Sequence, residues 1–138
     1  MHTLEEVKNA FAADRFAMEA AGIEIVSSKK DEAVCRMELT ELHCNARGKP
    51  MGGAIFTLAD FAAAVAANGQ SEEGNVISLH CDITYLSAAK GQTLLAYAKC
   101  VKRGRSTTLY QVSVTDEYAT PVAEVSVNGF VLPEAFYK

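Results

Sequence analysis

Nothing in these 138 residues is apolar for long enough to cross a bilayer: the longest unbroken apolar run, residues 61–67, falls far short of the ~18 residues a spanning helix needs. No membrane segment is expected. Positive charge is also scarce, with 13 Lys and Arg against 17 Asp and Glu and a net charge of −4. That balance argues against a general nucleic-acid role, because phosphate binding needs a basic surface or at least a basic stripe. The four cysteines, Cys35, Cys44, Cys81 and Cys100, form no C-x-x-C pair. Three of them fall in expected strands, so they read as reduced packing thiols rather than a disulfide framework or a zinc site. Linkers rich in Pro or Ser, low-complexity runs and internal repeats are missing too, and the length suits one domain over residues 1–138. The first eight residues lack the basic start and apolar core of a signal peptide, so a cytoplasmic location is expected. Of the three histidines, His2, His43 and His80, none sits in a nucleophile-elbow context, and a Ser-His-Asp triad is not expected. Nor is a metal.

What remains is patterned. Leu4, Val7, Phe11, Met18 and Ala21 recur at helical spacing and predict a first helix over 4–21, ended by Gly22. Residues 23–28 are β-branched, and after a charged turn Ala33, Cys35, Met37 and Leu39 alternate with Val34, Arg36, Glu38 and Thr40, predicting a hairpin with one buried face. A loop over 42–51 leads into a second helix from Gly53 to about Asn68, whose alanines surround nearly its whole circumference and imply burial on all sides. Four long strands follow, over 76–86, 92–103, 106–116 and 121–132, the last three joined by turns short enough for antiparallel hairpins. The expected class is α+β: a long antiparallel sheet wrapped around a central helix, with an extra N-terminal helix. A sheet covers only one side of such a helix, so the other side needs the first helix or a second copy, and a homodimer at least is expected.

Within the second helix one charge is out of place. Asp60 lies about two turns in at ~3.6 residues per turn, among apolar neighbours, where a carboxylate costs several kcal/mol unless it is paired, hydrogen-bonded or neutral. The helix start beside it, Gly52-Gly53, offers unpaired N–H groups and a positive dipole end that can hold an oxygen gaining negative charge. One end of the segment can thus stabilise an oxyanion while Asp60 activates a nucleophile. A structural aspartate and a packing glycine turn are the other reading of the same residues.

Asn45, Gly48, Met51-Gly52-Gly53, Asp60, Ser78, the run Ile83-Thr84-Tyr85-Leu86-Ser87, Arg103-Gly104-Arg105 and Val122-Ala123 occur in that order over roughly residues 16–130. In this the chain resembles the hotdog-fold thioesterases of the PaaI-like type, the acyl-CoA thioesterases named after phenylacetate degradation. The resemblance implies hydrolysis of a small, aryl or medium-chain acyl-CoA. It makes Asp60 the general base or nucleophile and the Gly52 N–H the oxyanion hole. Asn45 comes from the neighbouring subunit's share of the site, and Ser78 helps to position the attacking water. Strand alternation puts Ser78 opposite Ile77 and Leu79, with His80 and Asp82 on its own face.

The chain departs from the family where His-Gly-Gly is usual and Met51-Gly52-Gly53 stands instead. Methionine has no proton to donate, so a polarising contact is lost while the backbone oxyanion hole survives. A noncatalytic hotdog protein that binds acyl-CoA or an aromatic acid is therefore the alternative. A hotdog dehydratase fits less well, for want of a histidine at the helix entry. Met51, Gly53, Phe56, Phe61 and Tyr85 are expected around the substrate, with an apolar acyl pocket. Arg103 and Arg105, in a basic cluster with Lys99 and Lys102, are expected to meet the coenzyme A phosphates. Coenzyme A enters as part of the substrate, and no separate cofactor is implied. The partners are further copies of the chain, as a dimer or a dimer of dimers, the homotetramer.

Overall fold

The computed structural model describes residues 1–137. Helix α1, Leu4–Phe11, begins with a capping box: the Glu6 N–H donates to Thr3 Oγ1 at 3.1 Å and the Thr3 N–H to Glu6 Oε1 at 2.9 Å. It buries Val7 and Phe11 and then stops. The single helix expected over 4–21 is broken, and a separate π-helical turn, Phe16–Ala20, follows, with the Ala21 N–H donating to the Phe16 carbonyl at 2.8 Å. The cause is phase. A straight helix that buries residues 7 and 11 would carry positions 14, 15 and 18 into the core next, and two of these are Asp14 and Arg15. The break brings Ala17 and Ala21 inward in their place and leaves Asp14 and Arg15 exposed. Gly22, at φ +70°, then makes the left-handed exit.

Strands β1 (Ile23–Lys29) and β2 (Glu32–Glu38) form the expected hairpin, its turn carrying Asp31 at φ +59°. The 3₁₀ turn Glu41–His43 and a loop lead to helix α2, Gly52–Asn68. Strands β3 (Asn75–Tyr85), β4 (Thr93–Arg103), β5 (Thr107–Asp116) and β6 (Pro121–Leu132) complete one six-stranded sheet in the order β1-β2-β4-β5-β6-β3, antiparallel throughout. Its concave face presents small residues, among them Ala33, Cys35, Ala96, Ala98 and Ala123, to the alanines of α2, so sheet and helix backbones pack closely.

The helix is not covered all round. The sheet buries one side, and Phe11 packs edge-on against Phe61 at 5.5 Å on another. A stripe made by Gly53, Thr57, Asp60 and Ala64 stays at least partly open. Beside it runs β3, an edge strand that lacks a neighbour on one side and exposes Ile77 and Leu79, at 42% and 61%. Among the described residues no helix is long and apolar enough to cross a membrane.

Candidate active site

Asp60 and Ser78 meet across the gap between α2 and β3: the Ser78 hydroxyl donates to Asp60 Oδ1 at 3.3 Å, and the Cys81 thiol lies 4.0 Å from the same oxygen. Both β3 residues reach one carboxylate although they are an odd number of positions apart, because a β-bulge at Leu79 interrupts the pairing of β3 with β6 between Ser78 and His80. The bulge corrects the expected alternation. His80 and Asp82 do not share the face of Ser78; they pair with each other at 3.3 Å on the exposed side, while Cys81, Ile83 and Tyr85 continue the inner face. Burial pushes the Asp60 carboxyl above its ordinary value; the Ser78 hydrogen bond works the other way, and the charge of Asp14 adds to the rise. Cys81 is raised as well, by burial and then by Asp60 and Asp82, so it remains a thiol.

Phe56 and Phe61 line a cleft together with Asp60, joined by Asp14 from the segment after α1 and by Phe16, the first residue of the π-helical turn. Tyr85 and Met51, expected in the same pocket, lie elsewhere. Tyr85 crosses the start of α2, and a Cβ on residue 52 would come within 2.7 Å of its hydroxyl, so glycine is what lets the ring sit there. Met51 is the N-cap, 56% exposed, and its side chain caps nothing. The N–H groups of Gly52 and Gly53 therefore have neither an intrahelical acceptor nor a capping side chain.

What holds this helix start in place is His43. Its Nε2–H donates to the Ala21 carbonyl at 2.7 Å and its Nδ1 accepts from the Thr40 N–H at 3.0 Å, which fixes the tautomer. The His43 carbonyl accepts the Met51 N–H at 2.8 Å. His43 is thus a buried tie between the segment after α1 and the start of α2. Asn45 organises the next turn, its Oδ1 accepting from the N–H groups of Arg47 and Lys49 at 2.9 and 3.2 Å. The cleft it lines is separate from that of Asp60.

Arg103 is engaged as well. Its Nη1 donates to Asp31 Oδ1, the Tyr110 hydroxyl and the Ala67 carbonyl at 3.1, 3.0 and 3.2 Å, and Tyr110 donates to Asp31 at 2.5 Å. The guanidinium thereby caps the carboxyl end of α2. Arg105 is exposed beside it, on a shallow cleft shared with Lys30, Glu72 and Glu73. Among the described residues no cluster of His, Cys, Asp and Glu could hold a metal ion. Sequence reasoning missed Asp14, hidden in a helix that turned out to be broken, and Cys81, read only as packing. It also missed the structural work of His43, for which a buried ring between two loops leaves no local signal.

The family model of the thioesterase superfamily matches residues 50–122, a little over half of the chain and the part that carries Gly52, Asp60, Ser78 and Tyr85. A 1,4-dihydroxy-2-naphthoyl-CoA hydrolase of Listeria monocytogenes is 32% identical over 100 residues, 72% of this chain and 81% of the relative. The acyl-coenzyme A thioesterase PaaI of Escherichia coli is 32% identical over 105 residues, 75% of this chain and 74% of the relative. The structure of that PaaI superposes with a TM-score of 0.86, covering 96% of this chain and 95% of its own at 26% identity. A Streptococcus mutans protein solved with acetyl CoA, smu.793, superposes with a TM-score of 0.74 at 30% identity, over 82% of this chain and 90% of its own. The chain belongs to the thioesterase superfamily and is a PaaI-like thioester hydrolase of the hotdog fold.

Proposed function

We propose that this chain hydrolyses an acyl-CoA thioester with an aryl, small or medium-chain acyl group, at a site assembled from two copies of itself. The observation that carries the reading is a hydrogen-bonded carboxylate, Asp60, in an apolar cleft on the same helix as an uncapped, glycine-opened N-terminus. Eight residues separate Gly52 from Asp60, about 12 Å along the axis at ~1.5 Å per residue. Held by one copy, a thioester carbonyl at the Gly52 N–H would lie near the far end of what a water bound to Asp60 can reach, since each contact in that chain spans about 3–3.5 Å. A second copy, packed through the open stripe of α2 and the free edge of β3, would bring its own helix start and Asn45 to the Asp60 and Ser78 of the first. This accounts for the exposed Ile77 and Leu79 and for the separation of Asn45 from Asp60 within one chain.

In that arrangement Asp60 takes a proton from water as the water oxygen attacks the carbonyl carbon. The oxyanion is held by the Gly52 N–H and the helix dipole, and the carbon–sulfur bond then breaks. The proton passes from Asp60 to the departing coenzyme A thiolate, which leaves Asp60 ionised for the next turn. A carboxyl raised by burial is a better-matched base near neutral pH than an ordinary one. Arg105 is a candidate for the coenzyme A phosphates, whereas Arg103 is already committed to Asp31. Met51 leaves the carbonyl one donor short of the usual His-Gly-Gly, and a slow enzyme is expected; Met51→His should raise kcat.

The deciding experiment follows thiol release from acetyl-, hexanoyl-, palmitoyl- and phenylacetyl-CoA, with Asp60→Ala in parallel. Turnover that falls by about 100- to 10,000-fold in the variant supports the base. Binding of the thioesters by both proteins without thiol release would overturn hydrolysis and restore the noncatalytic alternative.

A further inference from the structure

The cleft beside Asp60, about 550 Å³, has an uneven charge lining. Its walls are apolar, from Phe16, Phe56 and Phe61, but they carry two carboxylates, Asp60 and Asp14, and one cation, Arg15. That cation is paired on the exposed side of the segment: Arg15 Nε and Nη2 donate to the two carboxylate oxygens of Glu19 at 2.6 and 3.0 Å. Among the described residues Asp14 makes no ion pair. From β3 the groups facing Asp60 are the Ser78 hydroxyl and the Cys81 thiol, neither of them positive. Among the described residues no unpaired positive charge faces this space, and an anion entering it would meet two like charges, a partly buried one at Asp60 and an exposed one at its rim, Asp14.

We propose that Asp14 is a specificity determinant that bars acyl groups ending in a carboxylate, so that the substrates are CoA thioesters of uncharged acyl groups. The inference rests on the thioesterase reading only in taking this cleft for the acyl site. It assigns a residue outside the Asp60–Ser78 pair, and its effect is electrostatic. Removing the charge must relax discrimination against an anionic acyl chain more than it alters binding of a neutral one. Repulsion from a like charge about 4 Å away is worth roughly a fivefold change in affinity even in a water-like dielectric, so two carboxylates together are worth on the order of tenfold. The same charge supports the raised carboxyl of Asp60, so its removal should lower the pH at which the base ionises.

The test pairs ligands that differ only in a terminal carboxylate. Binding of the non-hydrolysable thioethers S-hexyl-CoA and S-(5-carboxypentyl)-CoA is measured by calorimetry on wild type, Asp14→Asn and Asp14→Lys, and kcat/KM is measured for hexanoyl-CoA and adipoyl-CoA. The expected result is a wild-type preference for the neutral member of at least about tenfold. It should narrow in Asp14→Asn and narrow further in Asp14→Lys, and the acid limb of the hexanoyl-CoA profile should move to lower pH. Unchanged neutral-to-anionic ratios in both variants would overturn the proposal. If wild type cleaves neither thioester, the hydrolase reading falls, while the thioether ratios still decide the role of Asp14.

Discussion

At the scale of single residues, Asp60 is a compromise between chemistry and stability. Its carboxyl is raised in the folded chain, so the folded state favours the protonated form. Its contribution to stability is present below the unfolded value of ~3.9 and is lost as pH rises through the folded one. Asp60→Asn should therefore raise Tm at pH 7, and the difference from wild type should close on acidification in scanning calorimetry. Ser78 acts in the opposite sense, because its hydrogen bond favours the charged form. Ser78→Ala should move the acid limb of kcat/KM upward in pH, and an unmoved limb would remove Ser78 from the site. Asp60, Gly52 and the open helix start are legible in sequence because each breaks a local rule: a charge among alanines, and paired glycines at a helix entry. Cys81 breaks none, and its nearness to Asp60 depends on a bulge that alternation cannot foresee.

At the scale of elements, a partly buried ion pair and one buried carboxylate hold turns and ends. The Arg103–Asp31–Tyr110 group ties the β1–β2 turn, β4, β5 and the end of α2 together. Loss of the Tyr110 hydroxyl in Tyr110→Phe should cost about 1.5–3 kcal/mol in urea unfolding, as for a hydrogen bond to a charged group. Arg103→Ala should lower Tm, whereas Arg105→Ala should raise KM for the CoA thioester and leave Tm in place; the reverse pattern would return Arg103 to phosphate binding. Asp116, 1% exposed at the β5–β6 turn, accepts four backbone N–H bonds, from Lys90, Gly91, Tyr118 and Thr120. Burial alone would raise its carboxyl, but these donors outweigh it and hold it well below the usual range. A depressed carboxyl stabilises the fold above the unfolded value of ~3.9, and that stabilisation drains away as pH falls further. Asp116→Asn should thus be less stable than wild type at pH 7, with the gap shrinking below about pH 4.

At the scale of the whole molecule, the half-open helix and the free edge of β3 leave room for the second copy that the proposed site requires. If Asp60 of one copy works with Asn45 and Gly52 of another, the inactive variants Asp60→Ala and Asn45→Ala should complement when unfolded together and refolded. Random pairing makes half of the dimers mixed, each with one intact site in two, so about a quarter of wild-type turnover should return. No recovery, with mixed dimers demonstrated by differential tagging, would place all the catalytic groups within one copy.

Periodicity and punctuation were enough to determine the elements. The β1–β2 hairpin, the four long strands and α2 all lie within a residue or two of where alternation and glycines put them, because burial of one sheet face is a property of neighbouring residues. The α+β class and the position of Asp60 followed from the same local rules. Tertiary packing alone decided the rest. It broke the N-terminal helix to keep Asp14 and Arg15 out of the core, and it inserted the bulge at Leu79 that turns Cys81 toward Asp60 and His80 away. It drew Arg103 to Asp31 and Ala67, and it buried His43 under Ala21. Each of these sets residues far apart in the chain against one another, where desolvation and close packing override what neighbouring residues would choose.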